Sequence, residues 1–265
     1  MRAGVVLLLM LLMLGCAGAQ VKLPIDGPQT AAAVLALLPI STVTTIQGQA
    51  RLDAYVGGDR RSVTLLVLAS RADKVQFQAL APTLDLLGLV SSDGSRFVTF
   101  ERGSDTCQTG LACQRNLMRF VPIPLPAAAM VAALLGDLRP LAVPADEQQL
   151  SWDATRHLYR LDLGRKDAWR QELYVDPKSH LAVGAVWFMG ARRVGSLQYQ
   201  GDRTPATLPA SLRIKVSDPD SDITIEYRAM QVNQPLDPSV FSVACPHGTR
   251  EVNLPCTAPP SEGME

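Results

Sequence analysis

The sequence predicts a mainly β protein, an antiparallel sheet that curls, with two helices set apart from the strands. Three observations carry this expectation. About ten strand-like runs occur, 49–56 and 211–216 alternating apolar and polar residues with a period of two, the gaps between them have hairpin length, and only two segments outside the leader are rich in Ala and Leu.

Taken in order, residues 20–30 hold Pro24, Gly27 and Pro28 and read as a tether. Residues 29–38, rich in Ala and Leu and stopped by Pro39, predict a helix. Residues 49–56 alternate strictly, the pattern of a strand with one wet and one apolar face. Strands follow at 62–69, 74–81, 86–91 and 96–101, with turns at Gly57-Gly58-Asp59, Arg71-Ala72-Asp73 and Asp93-Gly94. Residues 126–135 predict a second helix, with Gly136 as its C-terminal stop. Beyond Pro144 six more strands are expected, at 157–163, 170–175, 181–188, 194–199, 208–217 and 222–232. Nothing between residues 40 and 240 has linker composition or a fixed repeat, so one domain over 31–245 is expected. The extension 246–265 carries Pro246, Pro255, Pro259 and Pro260 and reads as extended chain held by a cysteine loop.

The first residues carry an address. Arg2, an apolar run over 5–14 and a small residue before Cys16 fit a signal peptide over 1–15, and the run is too short to span a bilayer. Met13-Leu14-Gly15-Cys16 resembles the lipobox of bacterial lipoproteins, with Met13 standing where leucine is usual. That resemblance implies acylation of Cys16, a lipidated tether over 16–30 and a firm membrane anchor, because two or more buried chains hold where one does not. Ordinary secretion by cleavage after Ala17-Gly18-Ala19 is the alternative. Ala17, where retention at the inner membrane usually needs aspartate, points to the periplasmic face of the outer membrane.

Composition narrows the function. Basic and acidic residues balance at 25 each with no basic cluster, and aromatic content is 5%, so nucleic acid is not an expected partner. Cys107, Cys113, Cys245 and Cys256 form an even set in an exported chain and predict two disulfides. Three connectivities exist; sequence proximity favours Cys107 with Cys113 and Cys245 with Cys256. Their spacings are not those of zinc ligands. His157, His180 and His247 belong to no acid–base or nucleophile motif, there is no phosphate-binding glycine loop, and no cofactor is expected. Asp218, Asp220 and Asp222 read as a polar turn before a calcium loop. Both helices are apolar on more than one side, which predicts burial against the sheet. They either fill its interior as core or leave room among small residues for a hydrocarbon chain.

Several stretches in the same order are similar to the outer-membrane lipoprotein receptor LolB and the related LolA fold. Leu80-Ala81-Pro82-Thr83-Leu84-Asp85-Leu86-Leu87-Gly88 resembles the protruding loop of that family, and Val121-Pro122-Ile123-Pro124-Leu125 resembles the approach to its lid helix, which here ends Leu134-Leu135-Gly136. Tyr199-Gln200-Gly201 and Leu208-Pro209-Ala210-Ser211-Leu212-Arg213-Ile214 match its closing hairpin, while Pro238 with Phe241 is closer to LolA-like relatives. The resemblance covers most of 40–235. It implies an incomplete antiparallel β-barrel closed by two or more helices, whose hydrophobic cavity holds acyl chains of lipoproteins or other lipids. It places Leu35, Leu38, Met130 and Leu134 at the cavity and lid. Thr83 stands where the receptor has its exposed leucine, so Leu84 and Leu86 are left to enter the membrane. A non-enzymatic lipoprotein receptor served by a periplasmic LolA-like carrier is the implied function; a carrier or sensor of another amphiphile, or a structural lipoprotein with a filled barrel, are the alternatives.

Overall fold

The structure, a computed structural model, describes residues 23–118, 125–217 and 220–256. The signal peptide, Cys16 with its lipobox, Pro122-Ile123-Pro124 and Asp218 lie outside the described residues.

Fourteen strands among the described residues form one sheet. β1 (Thr45–Val56), β2 (Asp59–Ser70), β3 (Lys74–Leu80), β4 (Leu86–Ser92), β5 (Arg96–Glu101) and β6 (Thr106–Leu111) step outward from β1 in one direction. β7 (Gln148–Asp153), β8 (Leu158–Leu163), β9 (Trp169–Val175), β10 (Ala182–Met189), β11 (Arg192–Gln200), β12 (Ser211–Ser217) and β13 (Asp220–Val232) step back from the other side, until β13 pairs with β1. β14 (Arg250–Leu254) adds beyond β6. All neighbours are antiparallel except β14, which runs parallel to β6. The edge strands β14 and β7 do not pair with each other, so the barrel is incomplete, as expected.

The β1–β13 seam runs from Ile46 opposite Val232 to Val56 opposite Ser221, with a bulge between Gln49 and Ala50. A bulge bends the strand and raises its twist, which helps the sheet curl. Gly48 is required beside it: a Cβ there would sit 2.0 Å from the Ala229 carbonyl oxygen.

Three α-helices accompany the described sheet: α1 (Ala31–Leu37), α2 (Gln114–Leu117) and α3 (Ala127–Leu134). Thr30 caps α1, its hydroxyl accepting from the Ala33 amide at 3.2 Å. α3 ends in a Schellman turn: Asp137 N–H donates to the Ala132 carbonyl, Gly136 N–H donates to that of Ala133, and Gly136 sits at φ 76°. The two main helices differ in depth. Met130 to Leu134 of α3 are all buried, whereas α1 buries Ala31 and Val34 and exposes Ala32, Ala33, Ala36 and Leu37. The apolar surround predicted burial of both; α1 instead packs one face against β7 at the margin of the sheet, where among the described residues no second layer covers the rest.

The disulfides are Cys107–Cys245 and Cys113–Cys256, with Cα separations of 5.8 and 6.1 Å, so the pairing favoured by sequence proximity is corrected. The reason is β geometry. Cys107 lies inside β6, and at about 3.3 Å per residue the strand carries Leu111 some 13 Å away before Cys113 is reached, beyond the ~7 Å limit for a bridge. β14 separates Cys245 from Cys256 in the same way. Within the described part of the tail, expected as extended chain held by a cysteine loop, residues Arg250–Leu254 form a paired strand between the two disulfides.

Candidate functional site

The register determines which side chains share the concave face, because directly opposed residues project to the same side. Ala54 and Leu52 of β1 stand opposite Ile223 and Ile225 of β13, which stand opposite Ile214 and Leu212 of β12. In the other direction Leu65 of β2 stands opposite Ala79, and Phe77 and Ala79 of β3 stand opposite Val90 and Gly88 of β4. Val90 and Gly88 in turn stand opposite Thr99 and Glu101 of β5. All of these except Leu212, which lines a small void beneath α3, line an open trough of about 380 Å3, within the ~300–1,000 Å3 of ligand pockets. Thr99 and Glu101 are the polar members of the lining; the rest is aliphatic, Phe or Gly.

One half of the concave face is filled and the other is not. α3 packs against β2 and β3, and side chains from the sheet and from the segment before β1 hold its C-terminus. Tyr199 and Tyr227 hydroxyls donate to the carbonyls of Ala133 and Leu134, each at 2.7 Å, and the Ser41 hydroxyl donates to that of Leu135 at 3.2 Å. Burial pushes both phenols well above their ordinary value, so they stay protonated donors. A void of about 30 Å3 remains beneath α3, and Phe77, Ile214 and Ile225 line both it and the trough. The trough thus runs up to the edge of α3.

The cavity residues expected from sequence separate. Met130 and Leu134 line the void beneath α3, while Leu35 and Leu38 line a different pocket near Gly136. None of the four lines the open trough, whose walls are sheet residues. Their signal was the alternation itself, Leu52 and Ala54 on β1 and Phe77 and Ala79 on β3, interrupted by small residues where a filled core would carry large ones.

The loop after β3 begins two residues beyond Ala79, which lines the trough. It is held in shape by Leu84 N–H donating to the Ala81 carbonyl at 2.8 Å and by the Thr83 hydroxyl donating to Asp85 at 3.0 Å. Arg102 approaches Asp85 at 3.3 Å. The hydrogen bond from Thr83, joined by Arg102, holds the Asp85 carboxyl below its usual range. Leu84 is 67% exposed at φ 66°, a conformation uncommon for leucine, and Leu87 is 38% exposed. Leu86 and Leu87 already belong to β4, where Leu86 is half-buried opposite Leu80, so Leu84 is the exposed leucine of the loop itself. At the turn between β12 and β13, Asp222 is engaged by Arg213 and, at 3.3 Å, by Lys215.

Among solved structures, a LolA superfamily protein from Nitrosomonas europaea superposes at a TM-score of 0.51 with 11% identity, over 81% of this chain and 98% of its own. A DUF1329 family protein from Desulfovibrio piger gives 0.51 at 13% identity, over 80% and 93%. The chain has the LolA-like fold. No family model matches the sequence, and no curated protein matches it significantly.

Proposed function

We propose, from a LolA-like half-barrel with a vacant apolar trough, that this protein binds lipid acyl chains and hands them on without catalysis. The observation that carries the reading is the trough: about 380 Å3 of largely apolar space, open at one end, beside a helix that closes the other. The physics of transfer favours such a site. Exposing a sixteen-carbon chain, with about fifteen methylenes at ~0.8 kcal/mol each, costs on the order of 12 kcal/mol in water. Moving it between two apolar cavities nearly cancels that term, so a small difference in affinity is enough to drive delivery.

In its finer form the proposal is a receptor that takes acylated proteins from a periplasmic LolA-like carrier and places them in the outer membrane, itself anchored through acylated Cys16. Leu84, exposed in the loop after β3, with Leu87 at the start of β4, would enter the bilayer during release. The test of the coarse reading is a probe displacement assay. Ala79→Trp fills the trough at its middle and should abolish binding of a fluorescent acyl probe with the fold intact; unchanged binding would sink the reading. Mixing the protein with a lipoprotein-loaded carrier and liposomes tests the finer reading. Tight lipid binding without transfer would leave a carrier of some other amphiphile.

A further inference from the structure

A second pocket, of about 340 Å3, shares no lining residue with the trough. It lies between the end of α1 and the chain leaving α3. One wall is apolar, formed by Leu35, Leu38 and Leu138, and the other carries Asp137, Arg139 and Arg203.

The charges on that wall do not balance. Asp137, its side chain 7% exposed, is bridged by Arg71 at 2.8 Å and by Arg139 at 2.6 Å. Arg203 stacks 4.5 Å from the Tyr199 ring centre and donates to the carbonyls of Gly136 and Ala182; among the described residues no carboxylate forms an ion pair with it. Three guanidinium groups therefore gather about one carboxylate, an excess of two positive charges in a partly buried site. Arg71 is spoken for by Asp137 and by the carbonyls of Val43 and Ser41. Arg139 and Arg203 face the pocket with donors in reserve, since a guanidinium carries five. Burial also lowers the pKa of Arg203, outweighing the opposing pull of Asp137. Arginine forks suit carboxylate and phosphate oxygens, and partly buried cations favour a paired anion.

We propose that this pocket binds the anionic head, carboxylate or phosphate, of a single-chain lipid, with Arg139 and Arg203 on the head and Leu35 and Leu38 against the first methylenes. The site is independent of the trough, so either can fail alone.

The test uses the mature chain with three probes: palmitate, uncharged methyl palmitate and inorganic phosphate, the lipids delivered from cyclodextrin and binding followed by calorimetry. Saturating methyl palmitate occupies the trough, and palmitate should still bind. Its affinity should fall about tenfold in Arg139→Gln, the loss of one charged hydrogen bond, and be partly restored in Arg139→Lys. Arg139 is half-exposed, so these variants keep the fold. Leu38→Glu, which sets a carboxylate in the apolar wall, should weaken palmitate without touching methyl palmitate in the trough. Palmitate binding indifferent to Arg139 and Leu38, or abolished by methyl palmitate, overturns the proposal, and phosphate binding as tightly as palmitate overturns its lipid part. Failure of methyl palmitate to bind would instead count against the trough.

Discussion

At the scale of single residues, three side chains carry separable work. Leu84 combines exposure with a left-handed backbone, so glycine there relieves backbone strain while removing the apolar contact. Leu84→Gly should leave the urea midpoint unchanged or raised and reduce co-sedimentation with phospholipid vesicles; the companion Leu87→Glu should reduce it further. Tyr199 and Tyr227 both cap α3, but not equally. The Ala133 carbonyl also accepts from Gly136 N–H, whereas among the described residues Tyr227 is the donor to Leu134. Tyr227→Phe should therefore cost about 1–3 kcal/mol and Tyr199→Phe about 0.5–1.5 kcal/mol in chemical unfolding. Both phenols have raised pKa values, so the fold favours the protonated form. Their contribution is complete below the ordinary value of 10.0 and is lost as pH rises above it toward the folded value. Alkaline unfolding should accordingly coincide with the phenolate absorbance change, and Tyr227→Phe should flatten that arm of the stability curve.

At the scale of elements, the C-terminal strap is the feature with most leverage. Val240 and Phe241 carbonyls accept from Gln76 at 2.6 Å and Ser91 at 2.8 Å, laying the segment Pro238–Phe241 over the outer face of β3 and β4 before the chain reaches β14. The disulfides span 138 and 143 residues. Replacing Cys107 and Cys245 by Ala should cost about 2–5 kcal/mol, and amide exchange of β14 and β6 should rise while that of β1 and β13 stays slow. These elements also mark where the sequence was hard to read. β2 and β12 announce themselves because each buries aliphatic residues at every second position, Leu65, Val67 and Ala69 in one and Leu212, Ile214 and Val216 in the other. β6 buries Cys107 and Thr109 instead, so its alternation has no hydrophobic amplitude. β7 and β14 alternate through only two apolar residues each, Leu150 with Trp152 and Val252 with Leu254, a legible but short signal. The disulfide pairing was beyond reach, since it follows from the parallel docking of β14 on β6, a contact across about 140 residues that no local pattern encodes.

At the scale of the whole molecule, one curved sheet is covered unequally. The half under α3 is a packed core containing Trp187, Tyr199 and Leu135; the half toward the loop at residues 81–85 is lined but not filled. Sequence reading reached the curl and the helical cover but put the cavity residues on the helices. Ala and Leu composition cannot tell a helix that fills a space from one that borders it. Occupancy depends on register, which sets Ala54, Ala79 and Gly88 on one face where larger side chains would close the gap. The most direct test of that vacancy is a nuclear magnetic resonance titration with a nitroxide-labelled fatty acyl chain. The account predicts selective broadening of the methyl signals of Leu52, Leu65, Ile214 and Ile223, with Leu161 and Leu173 across the packed half unaffected. Uniform sharpness of the first set in the presence of bound chain would contradict it.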